Sequence, residues 1–146
     1  MATTTIAEFM GHDHDRLDEI FSQFHTIKNQ DAQKALALFQ ELLTGLHRHI
    51  TWEEEILFPV FEAQAEMVRA HGPTDVMRNE HRQIKYFLEQ IQTSVAAGDL
   101  STEEAEEGLR QILTTHNVKE EKILYPWIDN AVSDEERTSL LARMGN

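Results

Sequence analysis

The chain has 146 residues, 26 of them acidic against 13 basic, and a formal net charge of −13. That length makes one domain with room for a proper core, and the charge argues against nucleic acid or an anionic membrane surface as partner, since both need basic patches. No cysteine is present, which excludes a disulfide framework, a zinc knuckle and a thiol nucleophile.

The N-terminus, Met1-Ala2-Thr3-Thr4-Thr5, lacks the basic region and apolar core of a signal peptide. No apolar run approaches the roughly 20 residues that span a bilayer. A single domain over 1–146 with a cytoplasmic home is therefore expected.

A first helix is predicted from about residue 4 to 28, where Met10, His14, Leu17, Phe21 and Phe24 form one stripe at helical spacing. His14 occupies a place in that stripe where an apolar residue is usual. Asn29-Gln30-Asp31 breaks the pattern, and Asp31 can cap a second helix. On that helix Ala35, Leu38, Phe39, Leu42, Leu46, His49, Glu53 and Ile56 share a broad face, and Pro59 is expected to bend or end it. A looser stretch with Gly72-Pro73 follows. A third helix is expected from a Thr74 cap to about Ala97, with Met77, His81, Ile84, Leu88 and Ile91 as its stripe and Gly98 as terminator. Ser101 and Glu104 read as a capping box for a fourth helix, whose stripe is Leu109, Ile112, Leu113, His116, Glu120 and Ile123 until Pro126 interrupts it. Ser133 and Glu136 read as the box of a short C-terminal helix carrying Leu140, Leu141 and Met144. With no competing strand pattern, the fold class is all-α, an up-and-down antiparallel four-helix bundle with a short C-terminal helix.

The chain also repeats itself. Of the thirteen positions from 49 to 61, six recur 67 residues later: His49, Glu53, Glu54, Ile56, Leu57 and Pro59 return as His116, Glu120, Glu121, Ile123, Leu124 and Pro126. The same shift carries His14 to His81 and Asp13 to Glu80. An internal two-fold repeat follows, with one copy over about 6–67 and the other over about 74–130.

A His and a Glu four apart on a helix lie about 40° apart around the axis and about 6 Å along it, so both reach one point. His14, His49, Glu53, His81, His116 and Glu120 come from four helices, each from the inward face. Burying six such groups without a metal would be costly, at about 1–3 kcal/mol or more for each unpaired one. Imidazole and carboxylate suit iron, manganese or zinc. Six ligands exceed a closed tetrahedral zinc site and suit two metals, each with two terminal imidazoles and with both Glu as bridges. Glu54 and Glu121, five residues after their His, point about 140° away and read as surface groups or as supports behind the ligands. Asp18, one turn after His14, is a possible extra ligand or an acceptor for an imidazole N–H.

At Asp13-His14-Asp15-Arg16-Leu17, His49-x-x-x-Glu53-Glu54-x-x-Leu57-Phe58-Pro59, Glu80-His81 and His116-x-x-x-Glu120-Glu121-x-x-Leu124-Tyr125-Pro126, the chain resembles the hemerythrin-like, or HHE cation-binding, family. The resemblance covers about residues 6 to 130. It implies a non-haem di-iron centre, with His14 and His49 on one iron and His81 and His116 on the other. Glu53 and Glu120 would bridge them beside an oxo or hydroxo ligand. Classical oxygen carriers of this family have His-x-x-x-His on the third helix, where this chain has His81 and Lys85, and His-x-x-x-x-Asp on the fourth, where it has His116 and Glu120. One imidazole fewer argues against simple reversible oxygen carriage. Ferritin-like di-iron oxidases need Glu-x-x-His on two helices, and no Glu here has a His three residues later.

The sequence thus reads as a di-iron protein that binds or senses dioxygen, nitric oxide or peroxide at an open iron position. An enzyme removing peroxide or supporting iron-centre repair, and an iron-sensing module read by a partner protein, are the alternatives.

Overall fold

A computed structural model describes residues 4–65 and 72–145. The end of the first repeat near residue 67 and His71 in the looser stretch lie outside the described residues, as do Met1, Ala2 and Thr3. Among the described residues the regular structure is helical throughout, with no strand.

Helix α1 (Ile6–Ile27) starts at Thr5, whose hydroxyl accepts from the Glu8 N–H while the Glu8 carboxylate accepts from the Thr5 N–H, both at 3.0 Å. Two of the four orphan donors at the helix start are satisfied this way. Asp31 caps α2 (Ala32–Trp52) as expected, accepting from the Lys34 N–H at 3.1 Å.

Of the two outcomes expected at the prolines, a bend or an end, the end does not occur. A π-turn precedes each proline, at Glu53–Leu57 and at Glu120–Leu124, and the chain continues as α3 (Phe58–Ala65) and α6 (Tyr125–Ala131). In these turns the Phe58 N–H reaches Glu53 O and the Tyr125 N–H reaches Glu120 O, five residues back. Proline has no N–H to give and its ring crowds the carbonyl four residues back; a widened turn removes both conflicts. The two turns begin 67 residues apart, like the motifs they interrupt.

Helix α4 (Gly72–Ala96) begins before Thr74, whose hydroxyl donates to Glu62 Oε2 at 2.8 Å instead of capping. Gly98, with φ of 80°, closes it in the left-handed region where glycine carries no penalty. Helix α5 (Glu103–Lys119) has Thr102 at its N-cap, not Ser101. The Ser101 N–H is bonded to Asp99 Oδ1 at 2.9 Å, which holds Ser101 in the loop. The Ser133–Glu136 box does form ahead of α7 (Asp134–Gly145).

The most extensive packing pairs α1 with α2 and α4 with α5. Gly45 lets the first pair close up, since a Cβ there would stand 2.5 Å from Leu17 Cδ2. Apolar side chains gather in two clusters. One holds Leu17, Phe24, Phe39, Leu46, Ile84 and Leu113; the other holds Met10, Leu57, Phe58, Met77, Leu124 and Tyr125. Along α1, α2, α4 and α5 the four imidazoles fall between members of the two clusters: His14 between Met10 and Leu17, His81 between Met77 and Ile84. The polar layer is sandwiched by apolar core.

Candidate metal centre

The six residues predicted as ligands are all buried, with Glu53 and Glu120 at 0% exposure. Burial follows from their places in the inward stripes. Two groups of ligand atoms lie close enough to hold a metal ion: Glu53, His81, His116 and Glu120, and His14, His49 and Glu120. Glu120 belongs to both. Glu53 also reaches across, its Oε2 3.7 Å from His49 Nε2.

Every one of the four imidazoles is held from behind by a carboxylate. His14 Nδ1 donates to Glu121 at 2.7 Å and His81 Nδ1 to Glu54 at 2.6 Å. His49 Nδ1 donates to Asp13 at 2.8 Å and His116 Nδ1 to Glu80 at 2.9 Å. A carboxylate can only accept, so Nδ1 carries the hydrogen and Nε2 is the nitrogen aimed inward. His81 Nε2 lies 2.8 Å from Glu53 Oε1, His14 Nε2 3.2 Å from Glu120 Oε1, and His116 Nε2 3.0 Å from Glu120 Oε2. A carboxylate behind Nδ1 is the support that metal-binding imidazoles use. Arg16 and Lys119 in turn bind the outer carboxylates Asp13 and Glu80, at 2.9 Å and 2.5 Å.

Glu54 and Glu121, placed by the sequence on the surface or behind the ligands, take the second position. Asp13 and Glu80 were legible only as a recurring acidic pair. Asp18 does not take the predicted role of acceptor for an imidazole: the Nδ1 positions are filled by the four carboxylates just named, and Asp18 lines a small cavity beside His14 and His49.

Tyr125 is the residue that sequence reasoning missed. Its hydroxyl sits at the centre, 2.5 Å from Glu53 Oε2, 2.8 Å from Glu120 Oε1 and 3.3 Å from both His14 Nε2 and His49 Nε2. The counterpart of Tyr125 in the first copy is Phe58, which stacks on the His81 ring at 5.7 Å and 5°.

The electrostatics call for a cation. Burial pushes the Tyr125 phenol up, and the Glu120 and Glu53 charges add to it, so it stays protonated well beyond its ordinary range. Burial also works against the charged imidazoles, yet Glu120 and Glu53 outweigh it and bring His14 to about 9 and His116 to about 11. Protons thus fill the place that a metal would neutralise. Among the described residues one buried side-chain oxygen remains without a hydrogen bond: Glu120 Oε2 is near His116 Nε2 but outside hydrogen-bond geometry. Four inward nitrogens and two buried carboxylates, one with an orphaned oxygen, form a donor set that could hold metal.

The chain matches the hemerythrin HHE cation-binding domain model over residues 5–128. It is 28% identical over 134 residues to a DNA nickase from Nostoc sp., a match covering 90% of this chain and 35% of that protein. It is 39% identical over 69 residues to the iron-sulfur cluster repair protein YtfE of Edwardsiella ictaluri, covering 47% of this chain and 31% of that one. The chain spans about a third of the length of these curated relatives. No solved structure matches. On the family match over most of its length, the chain belongs to the hemerythrin HHE cation-binding domain family.

Proposed function

We propose that the long helices form an up-and-down antiparallel four-helix bundle of two related halves around a non-haem di-iron centre that binds or senses a small ligand such as dioxygen, nitric oxide or peroxide. His14 and His49 would hold one iron, His81 and His116 the other, with Glu53 and Glu120 between them and an oxo or hydroxo bridge completing the pair. Iron bound there supplies an open coordination position and a change of oxidation state. The rest is the work of the chain. Asp13, Glu54, Glu80 and Glu121 fix each imidazole with Nε2 inward, and the apolar clusters on either side keep bulk water away. Tyr125 holds a proton between Glu53 and Glu120.

The observation that carries this reading is the convergence of four carboxylate-backed imidazoles on two buried, shared glutamates. A cytoplasmic home belongs to the same reading. The nickase relative's nucleic-acid activity is not carried over, since a chain of net charge −13 offers little to phosphate.

A second reading, service to damaged iron centres, is supported by the likeness to the YtfE repair protein over about half of this chain. Optical spectra of the iron-loaded protein, taken with reductant and then with dioxygen, nitric oxide or peroxide, separate the two. A ligand-dependent spectrum with iron retained supports binding or sensing, whereas release of iron to an acceptor under the same conditions supports repair.

A further inference from the structure

Two hollows meet on the side where α1 faces α5. The inner one is a cavity of about 10 Å³ beside His14, His49 and His116, room for one water-sized molecule. Its walls are largely apolar, from Leu17, Leu46, Ile50, Ile84 and Leu113. The outer one is a groove of about 360 Å³ along the two helices, lined by Phe21, Ser22, Arg110 and Thr114 among others. Asp18 and Leu113 line both hollows.

The helices are clasped on either side of this meeting point. At one end His14 binds Glu121; at the other His25 and Lys28 both bind Glu106. Between the clasps Arg110 lies 5.3 Å from the centroid of the Phe21 ring, on the wall of the groove. The start of α5 at Glu106 and the π-turn that follows it at Glu121 are therefore both tied to the α1 side, leaving a seam between these two points.

We propose that a small neutral molecule reaches the centre through this seam, past Leu113 and Asp18, and that the seam disfavours anions. The proposal rests on the di-iron reading above. The cavity admits something about the size of water, and apolar walls favour an uncharged molecule. Asp18 lines both hollows, so an anion that has passed Arg110 and His25 in the groove meets a carboxylate at the mouth. Under the 67-residue shift, Asp18 and Leu113 correspond to Lys85 and Leu46. The opposite side thus has a cation in the place of Asp18 and provides a control.

The test is stopped-flow association of nitric oxide and of azide with the ferrous-loaded and ferric-loaded protein respectively, in the parent and in Leu113→Trp, Leu113→Ala, Asp18→Asn and Lys85→Trp. Metal content is measured for each. Leu113→Trp should slow nitric oxide by about tenfold or more, because a close-packed interior offers few other gaps, and Leu113→Ala should speed it. Lys85→Trp should leave it unchanged. Asp18→Asn should raise the ratio of azide to nitric oxide rates by about threefold at low salt. Crystals under xenon supply a readout independent of iron chemistry: xenon should sit between Leu17 and Leu113 in Leu113→Ala, as it does in dry apolar cavities. If Leu113→Trp does not fold, the Leu113→Ala rate and xenon site decide. One nitric oxide rate across all variants, or no xenon in Leu113→Ala, overturns the route and leaves the di-iron reading standing. A loaded parent protein that takes up no nitric oxide overturns that reading, and the route with it.

Discussion

The Tyr125 hydroxyl donates to Glu53 at 2.5 Å, linking the second copy of the repeat to the buried glutamate of the first. It also lies 2.8 Å from Glu120, so one phenol serves both carboxylates. The phenol has one hydrogen to give, so Tyr125→Phe would leave one buried carboxylate oxygen short of a donor. The metal-free variant should lose about 1–3 kcal/mol of stability, the cost of unsatisfied buried polar groups, while still taking up metal. Denaturant unfolding of the metal-free protein measures this, and an unchanged midpoint would mean that the hydroxyl is not needed there.

Glu54 and Glu121 hold His81 and His14 by Nδ1 although they are 31% and 45% exposed. Removing either acceptor should weaken metal binding by about 10–100-fold, as loss of the partner behind a ligating imidazole commonly does. Competition titration of Glu54→Ala and Glu121→Ala against a chelator tests the point. Glu55→Ala, on the exposed face next door, should bind as the parent does.

The metal-free protein should become less stable as pH rises above neutrality. His14 and His116 have folded pKa values of about 9 and about 11, above the ordinary 6.5. A pKa raised by folding stabilises fully below the unfolded value and loses that stabilisation as pH climbs through the folded one. Metal displaces these protons, so its affinity should rise over the same window. The gap in Tm between loaded and metal-free protein should therefore widen from about pH 6.5 to 9. A metal-free Tm that is flat or rising across that range would contradict the assignment.

At the end of α1 the buried Lys28 binds the equally buried Glu106, with Thr102 bonded to Glu106 at 2.5 Å. Breaking a buried pair by one side leaves the other charge poorly matched, here with only the exposed Glu103 at 3.3 Å from Lys28, so Glu106→Gln should cost about 3 kcal/mol. Lys28→Met together with Glu106→Leu should recover much of it. Metal content should not change in either, because the pair belongs to the other end of α1 from His14. Equal unfolding midpoints for Glu106→Gln and the parent would show that Lys28 finds another partner.

The helices and the six inward His and Glu residues were legible because both follow simple periods: a stripe at three and four residues, and a shift of 67. What escaped was anything that depends on a change of period. Read as an ordinary helix, Tyr125 stands well around the axis from Glu120; the π-turn takes five residues to come round, and so stacks Tyr125 over Glu120. The cue was present in Pro126, which the π-turn accommodates, but proline was read as a bend or an end and not as a shift of register. The acceptor role expected of Asp18 failed for a different reason. One-turn spacing from His14 identified it as a neighbour along α1, while the acceptor for that imidazole comes from Glu121, at the other end of the chain. Spacing along one helix carries no information about which residue a neighbouring helix presents.

The central claim is that two sets of imidazoles share Glu53 and Glu120 around two metals. Elemental analysis of protein purified from iron-replete cells, run beside Glu53→Ala, Glu120→Ala and the double variant, tests it most directly. The account predicts about two metals per chain in the parent, iron predominating, with both positions impaired by either single substitution and empty in the double. A reproducible single metal per chain, tight zinc that iron cannot displace, or two irons retained by the double variant would contradict it.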